Sequence, residues 1–138
     1  MSEEENVEAV KRLFAAIERG DLASALEMLT EDVDWRSPVT RIGHADISWA
    51  CPRHGRGQVA QFFRELGEKV RPEPFALLGF TAQGDRVIVE GSNKGRVNST
   101  DRTYEHDWVM VFTLQKGKIA RCWHYYDTAD VAEAFRTM

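Results

Sequence analysis

Apolar residues recur at two different periods along the chain, and the change of period divides it near the middle. In residues 3–19, Val7, Val10, Leu13, Phe14 and Ile17 follow one another at steps of three and four, the stripe of an amphipathic helix. Ser2 with Glu5 has the form of a capping box, and Gly20 suits the turn just past the helix end. Asp21 caps a second helix carrying Leu22, Leu26 and Leu29. Val33, Trp35 and Ser37 then alternate in a short strand that Pro38 stops. Residues 38–56, interrupted by Pro38, Gly43, Pro52 and Gly55, are long for a plain connection, so this segment is read as functional or mobile. A third helix presents Val59, Phe62, Phe63, Leu66 and Val70 and ends at Pro72 and Pro74.

Beyond Pro74 the alternation becomes that of strands. Phe75–Gln83, Arg86–Val97, Thr103–Gln115 and Lys118–Asp127 are predicted to form four of them, with tight turns at Gly84-Asp85 and Lys116-Gly117. Asp127 or Thr128 caps a short last helix through Phe135. Helices first and sequential strands after is the α+β pattern, and a long curved sheet wrapped round three helices would enclose a pocket.

If Gln115 pairs with Lys118 and the hairpin continues without interruption, Val109 lies opposite His124. Asp107, Val109, Val111 and Thr113 then share one face with Ala120, Cys122 and His124. Trp108, Met110, Phe112 and Leu114 share the other with Ile119, Trp123 and Tyr125. Both faces are apolar and the helices can cover one, so a homodimer through the face rich in Trp108 and Trp123 is expected. Asp107 and His124 become diagonal neighbours. A carboxylate beside an imidazole orients it for proton transfer, or the two simply satisfy each other in a mixed core. Val109 and Cys122 join them as ligand contacts, and Tyr126 has the parity of His124. Trp35 and Trp49 could stack on a flat ligand or belong to the core. Glu90 falls on the opposite face from Val89, toward the dimer surface.

The 138 residues suffice for one domain, taken as residues 1–138, and 43% hydrophobic with 29% charged is ordinary globular composition. A net charge of −4 argues against a nucleic-acid partner. No run is apolar and long enough for a membrane span, and the N-terminus lacks signal-peptide features. Cys51 and Cys122 show no pairing pattern, so a reducing cytoplasm is the simplest home. Cys51, His54 and His44 give one weak pair where a structural zinc needs two, so no metal is expected. Arg53 and Arg56 could meet an anion at the third helix's start, but the glycines match neither a phosphate loop nor a dinucleotide fingerprint. No nucleophile elbow is present. No cofactor is expected.

Several phrases together resemble the SnoaL-like branch of the nuclear transport factor 2-like superfamily, which includes ketosteroid isomerase. They are Ala15-Ala16-Ile17-Glu18-Arg19-Gly20-Asp21-Leu22, Leu29-Thr30-Glu31-Asp32-Val33-Asp34-Trp35, Gly57-Gln58-Val59-Ala60-Gln61-Phe62-Phe63, and Gly117-Lys118-Ile119 leading to Tyr125-Tyr126-Asp127. The resemblance spans nearly the whole chain. It implies a cone-shaped, mainly antiparallel sheet around the helices, a deep apolar pocket and a dimer. The ketosteroid isomerase base falls on Ser37, its oxyanion tyrosine on Leu13 and its protonated aspartate on Val109. The limonene epoxide hydrolase positions become Gly91, Asn93 and His124, which brings Asn93 into the pocket. The cyclase aspartate also falls on His124. Neither the isomerase nor the hydrolase set is kept. Three readings follow: acid–base chemistry through His124 and Asp107 on an apolar ring-containing metabolite (isomerase, cyclase, hydratase or dehydratase), a non-catalytic ligand-binding protein, and a structural dimerisation module.

Overall fold

The computed structural model describes residues 2–137. Its elements are α1 (Glu3–Glu18), α2 (Leu22–Glu27), β1 (Leu29–Arg36), β2 (Arg53–His54), α3 (Gly55–Lys69), β3 (Val70–Pro72), β4 (Ala76–Gln83), β5 (Arg86–Val97), β6 (Thr103–Gln115), β7 (Lys118–Tyr125) and α4 (Thr128–Phe135). The sheet runs β2-β1-β7-β6-β5-β3, with β4 also pairing β5. All pairs are antiparallel except β1 with β7, so the sheet is mixed. It curls into a half-barrel around the helices, the α+β cone the resemblance implies.

Local chemistry explains several element ends. Ser2 Oγ accepts the Glu5 N–H while Glu5 Oε1 accepts the Ser2 N–H, both at 3.0 Å, which closes the capping box on α1. Gly20 ends α1 with a positive φ of 72°. Asp21 Oδ1 accepts the Ser24 N–H at 3.1 Å and starts α2 at once. Asp127 rather than Thr128 caps α4, through the Asp130 N–H at 3.0 Å. Lys116 and Gly117 both take positive φ, 51° and 80°, which is the left-handed pair a tight hairpin turn needs.

Three expectations are corrected. Leu29 opens β1 instead of closing α2, Val70 opens β3 instead of closing α3, and β2 interrupts the irregular 38–56 segment. The larger correction concerns the last hairpin. Gln115 does pair with Lys118 and Leu114 with Ile119, but Thr113 then pairs with Arg121, leaving Ala120 as an extra residue. This β-bulge shifts every later partner by one, so His124 lies opposite Met110 and Tyr125 opposite Val109. A shift of one exchanges faces. Trp108, Phe112, Leu114, Ile119 and Cys122 are buried inside, whereas Asp107 and Tyr125 are exposed and Trp123 is half-buried on the outside. Trp108 and Trp123 therefore do not share a face.

The core lies between the concave side of the sheet and α1 and α3. Phe14 of α1 stacks on Trp108 at 6.0 Å and meets Phe112 edge-on at 5.8 Å. Trp35 of β1 packs on Phe62 and Phe63 of α3. On β5, Gly91 faces Trp108 and Gly95 faces Tyr104 across the strand pair, and any Cβ at either glycine would collide with the opposing ring. These two gaps let both rings lie flat over β5, and Asn93 projects between them. No helix is long and apolar enough to cross a membrane.

Candidate functional site

The concave side holds two adjoining chambers. The apolar one, about 160 Å³, is walled by Leu13, Phe14, Trp35, Phe62, Trp108 and Phe112 among others. The second, about 70 Å³, is walled by Trp49, Tyr104, His106, Tyr126 and Val131. Ser37, Leu66, Asn93 and His124 line both, so His124 stands at the junction of an apolar and a polar space.

Each polar side chain is held from a different element. Ser37, just past β1, places its Oγ 2.9 Å from His124 Nδ1. The bond can run either way: a donating hydroxyl leaves the ring proton on Nε2, and an accepting one leaves Nε2 bare. Among the described residues, Nε2 is buried and has no hydrogen-bond partner. Burial, aided by the nearby His106, pushes the His124 pKa down to about 3, so the ring is neutral at physiological pH. Trp49, carried in by the 38–56 segment, donates its indole N–H to Tyr126 Oη at 3.1 Å. The Tyr126 ring lies 4.6 Å from that of His124 and 5.9 Å from that of His106.

His106 of β6 sits opposite Asn93 of β5. Its Nδ1 is 2.9 Å from Asp130 Oδ2, on the first turn of α4. Burial and then the Asp130 charge raise the Tyr104 pKa to about 12. Burial raises that of Tyr126 as well, against the stabilising Trp49 and Ser37 contacts. Both phenols are therefore protonated at neutral pH.

Of the residues singled out in the sequence, the structure brings together His124, Trp35, Trp49, Asn93 and Tyr126 on the cavity wall. Three others are corrected. Asp107 is exposed on the convex face, opposite Ser92 of β5, because the bulge at Ala120 puts it and His124 on opposite sides of the sheet. Val109 lies on that same convex face for the same reason. Cys122 does point inward but is wholly buried in the core, where burial pushes its thiol pKa up, and it does not reach the cavity wall. Glu90 is exposed on the convex side. Sequence reasoning missed His106, Asp130 and Tyr104, and saw Ser37 as no more than a lost carboxylate. A parity signal existed for His106 and Tyr104, which alternate inward with Trp108. None existed for Asp130, because docking α4 against β6 is a tertiary event.

A SnoaL-like domain model matches residues 10–122. The chain belongs to the SnoaL-like family. A nuclear transport factor 2-like protein from Burkholderia xenovorans is 36% identical, with 99% of each chain covered and a TM-score of 0.83. A nuclear transport factor 2-like protein of Burkholderia pseudomallei is 24% identical over 99% of this SnoaL-like chain and 100% of its own, with a TM-score of 0.86. TerC, crystallised with polyporic acid, is 24% identical over 96% of this chain and 99% of its own, with a TM-score of 0.81. The last two likenesses show the fold alone. No curated protein matches the chain.

Proposed function

We propose that this SnoaL-like protein binds a neutral, ring-sized apolar molecule across the two chambers and carries out acid–base chemistry on a carbonyl or hydroxyl group placed at His124. The observation that carries this reading is the buried, unpartnered His124 Nε2 at the chamber junction. A buried polar atom left unpaired costs about 1–3 kcal/mol, which a ligand oxygen would recover. The apolar chamber, about 160 Å³, is close to the roughly 150 Å³ of a cavity that accepts benzene. No Lys or Arg lines either chamber among the described residues, so an anionic ligand would be buried without a counter-charge.

The test is a thermal-shift screen of cyclic ketones, phenols, epoxides and terpenoids against the wild type and His124→Ala. A ligand at a hundred times its Kd adds about 2.7 kcal/mol of stability, a shift of several degrees at this size. The expected result is a shift in the wild type that collapses in the variant. Shifts indifferent to the variant, or none in any class, overturn the reading. Binding without turnover is the second reading, favoured by the weak basicity of His124, and product formation from a binding ketone or epoxide decides between them.

The same proposal includes a homodimer. The convex face presents Val109, Val111 and Trp123 with Tyr125, 46% exposed, and Ile88, 38% exposed. A second copy of that face, related by a two-fold axis, would cover them.

A further inference from the structure

Resting on the ligand site proposed above, we infer that His106 and Asp130 make the polar chamber specific for a hydroxyl donor, so that the ligand is a phenol whose O–H bonds to His106 Nε2. The pair decides which ring compound is held and is assigned no part in a reaction step.

Asp130 fixes the polarity of the imidazole. It stands in the first turn of α4, and its Oδ2 accepts the Glu105 backbone N–H at 3.0 Å. The same oxygen lies 2.9 Å from His106 Nδ1. A carboxylate oxygen accepts and does not donate, so this contact requires a ring proton on Nδ1. With the ring neutral, Nε2 is left as a bare acceptor. The carboxylate behind the ring polarises it and makes Nε2 a stronger acceptor than an isolated imidazole.

The surroundings of the ring decide which part of it meets the cavity. Tyr104 stacks against it at 5.5 Å and 26°, and Tyr126 at 5.9 Å and 14°. Stacking occupies the ring's faces and Asp130 occupies Nδ1, so the surface His106 offers to the polar chamber is the edge that carries Nε2. The side chain is only 9% exposed. Among the described residues Nε2 takes no hydrogen bond, yet it is not sealed in as His124 Nε2 is.

The chambers then select the donor. No Asp, Glu, Lys or Arg lines either of them among the described residues, so an ammonium group would be buried without a counter-charge. A neutral O–H is the donor that fits. The polar chamber, about 70 Å³, has room for a hydroxyl and little more. The apolar one, about 160 Å³ and walled by Phe14, Phe62 and Trp108, suits an aromatic ring. A ring in one chamber and a hydroxyl in the other make a phenol. An ether or ketone oxygen in the same place would bring only lone pairs to Nε2 and leave it unpaired, and a site built to bond a hydroxyl rejects analogues that lack one.

The experiment uses the full chain above neutral pH with p-cresol and p-xylene, in which a hydroxyl replaces a methyl of similar size. The wild type should bind p-cresol more tightly than p-xylene by about tenfold or more. Imidazole nitrogen NMR should show His106 in the Nδ1–H form, with the Nε2 signal moving upfield on addition of p-cresol and not of p-xylene. His106→Phe, which keeps a ring in the stack, should abolish the preference. Asp130→Ala should weaken the preference together with the Nδ1–H form, whereas destabilisation alone would weaken both probes alike. Equal affinities in the wild type, a preference that survives His106→Phe, or His106 in the Nε2–H form each overturns the inference, while binding that is lost in His124→Ala leaves the proposed site standing. If neither probe binds, the inference and the apolar site beneath it both fall.

Discussion

Ser37 Oγ lies 2.9 Å from His124 Nδ1 although 87 positions separate them in the chain. The contact exists because β1 runs parallel to β7, with Trp35 beside Cys122 and Arg36 beside Trp123, so the residue that follows β1 arrives next to the end of β7. The position onto which the resemblance puts a carboxylate base here holds a hydroxyl bound to an imidazole.

Ser37→Ala removes the one partner that the described residues give a ring whose other nitrogen has none among them. The cost expected in urea denaturation is about 1–3 kcal/mol, the price of a buried unsatisfied group. The nitrogen NMR signals of His124 should also show its tautomer preference weakened. A variant as stable as the wild type would mean that the hydroxyl does not hold the ring.

Acid should destabilise the protein through His124. Folded, its pKa is pushed down to about 3 by burial and by His106, whereas an unfolded histidine titrates near 6.5. Between those values the unfolded chain binds the extra proton. Stability is therefore full above about pH 6.5 and falls as the pH drops toward 3, by at most about 1.4 kcal/mol per pH unit. Denaturation across pH 4–7 should show a flatter acid limb in His124→Gln than in the wild type. Parallel limbs would place the sensitivity elsewhere.

Local chemistry was legible and the long-range register was not. The capping box at Ser2, the cap at Asp21 and the Lys116-Gly117 turn each arise from neighbours in sequence, and all appear where the sequence puts them. β5 and β6 keep their predicted limits because strict alternation marks a strand buried on one side. The bulge at Ala120 leaves no such mark, since alanine is acceptable in a regular strand. One extra residue then carried Asp107 away from His124 and brought Trp108 inside. The carboxylate–imidazole pair sought in the hairpin does exist, but as Asp130 with His106. It depends on α4 folding back onto β6, which no local pattern specifies.

The convex face is expected to be self-complementary. Val111→Arg places a charge among Val109, Trp123 and Ile88, on the side of the sheet away from the cavity. Light scattering should then change from the mass of two chains to that of one, while ligand-induced thermal shifts at saturating ligand persist. A wild type that is monomeric at micromolar concentration would sink the dimer.

The glycines of β5 set the room available to the ligand. Gly91 and Gly95 lie beneath Trp108 and Tyr104, and an added Cβ at either has no space unless the ring swings away. Trp108 is a wall of the apolar chamber and Tyr104 a wall of the polar one, so the two substitutions should separate the functions of the chambers. Gly91→Ala should cost about 1–3 kcal/mol from overpacking and weaken binding of ligands in proportion to their apolar bulk. Gly95→Ala should cost a similar amount but disturb His106, which stacks on Tyr104 at 5.5 Å, and so weaken binding of ligands that carry a polar group more than that of purely apolar ones. Melting temperatures and ligand affinities for the two variants test this. Equal effects on apolar and polar ligands would show that the two chambers act as one space.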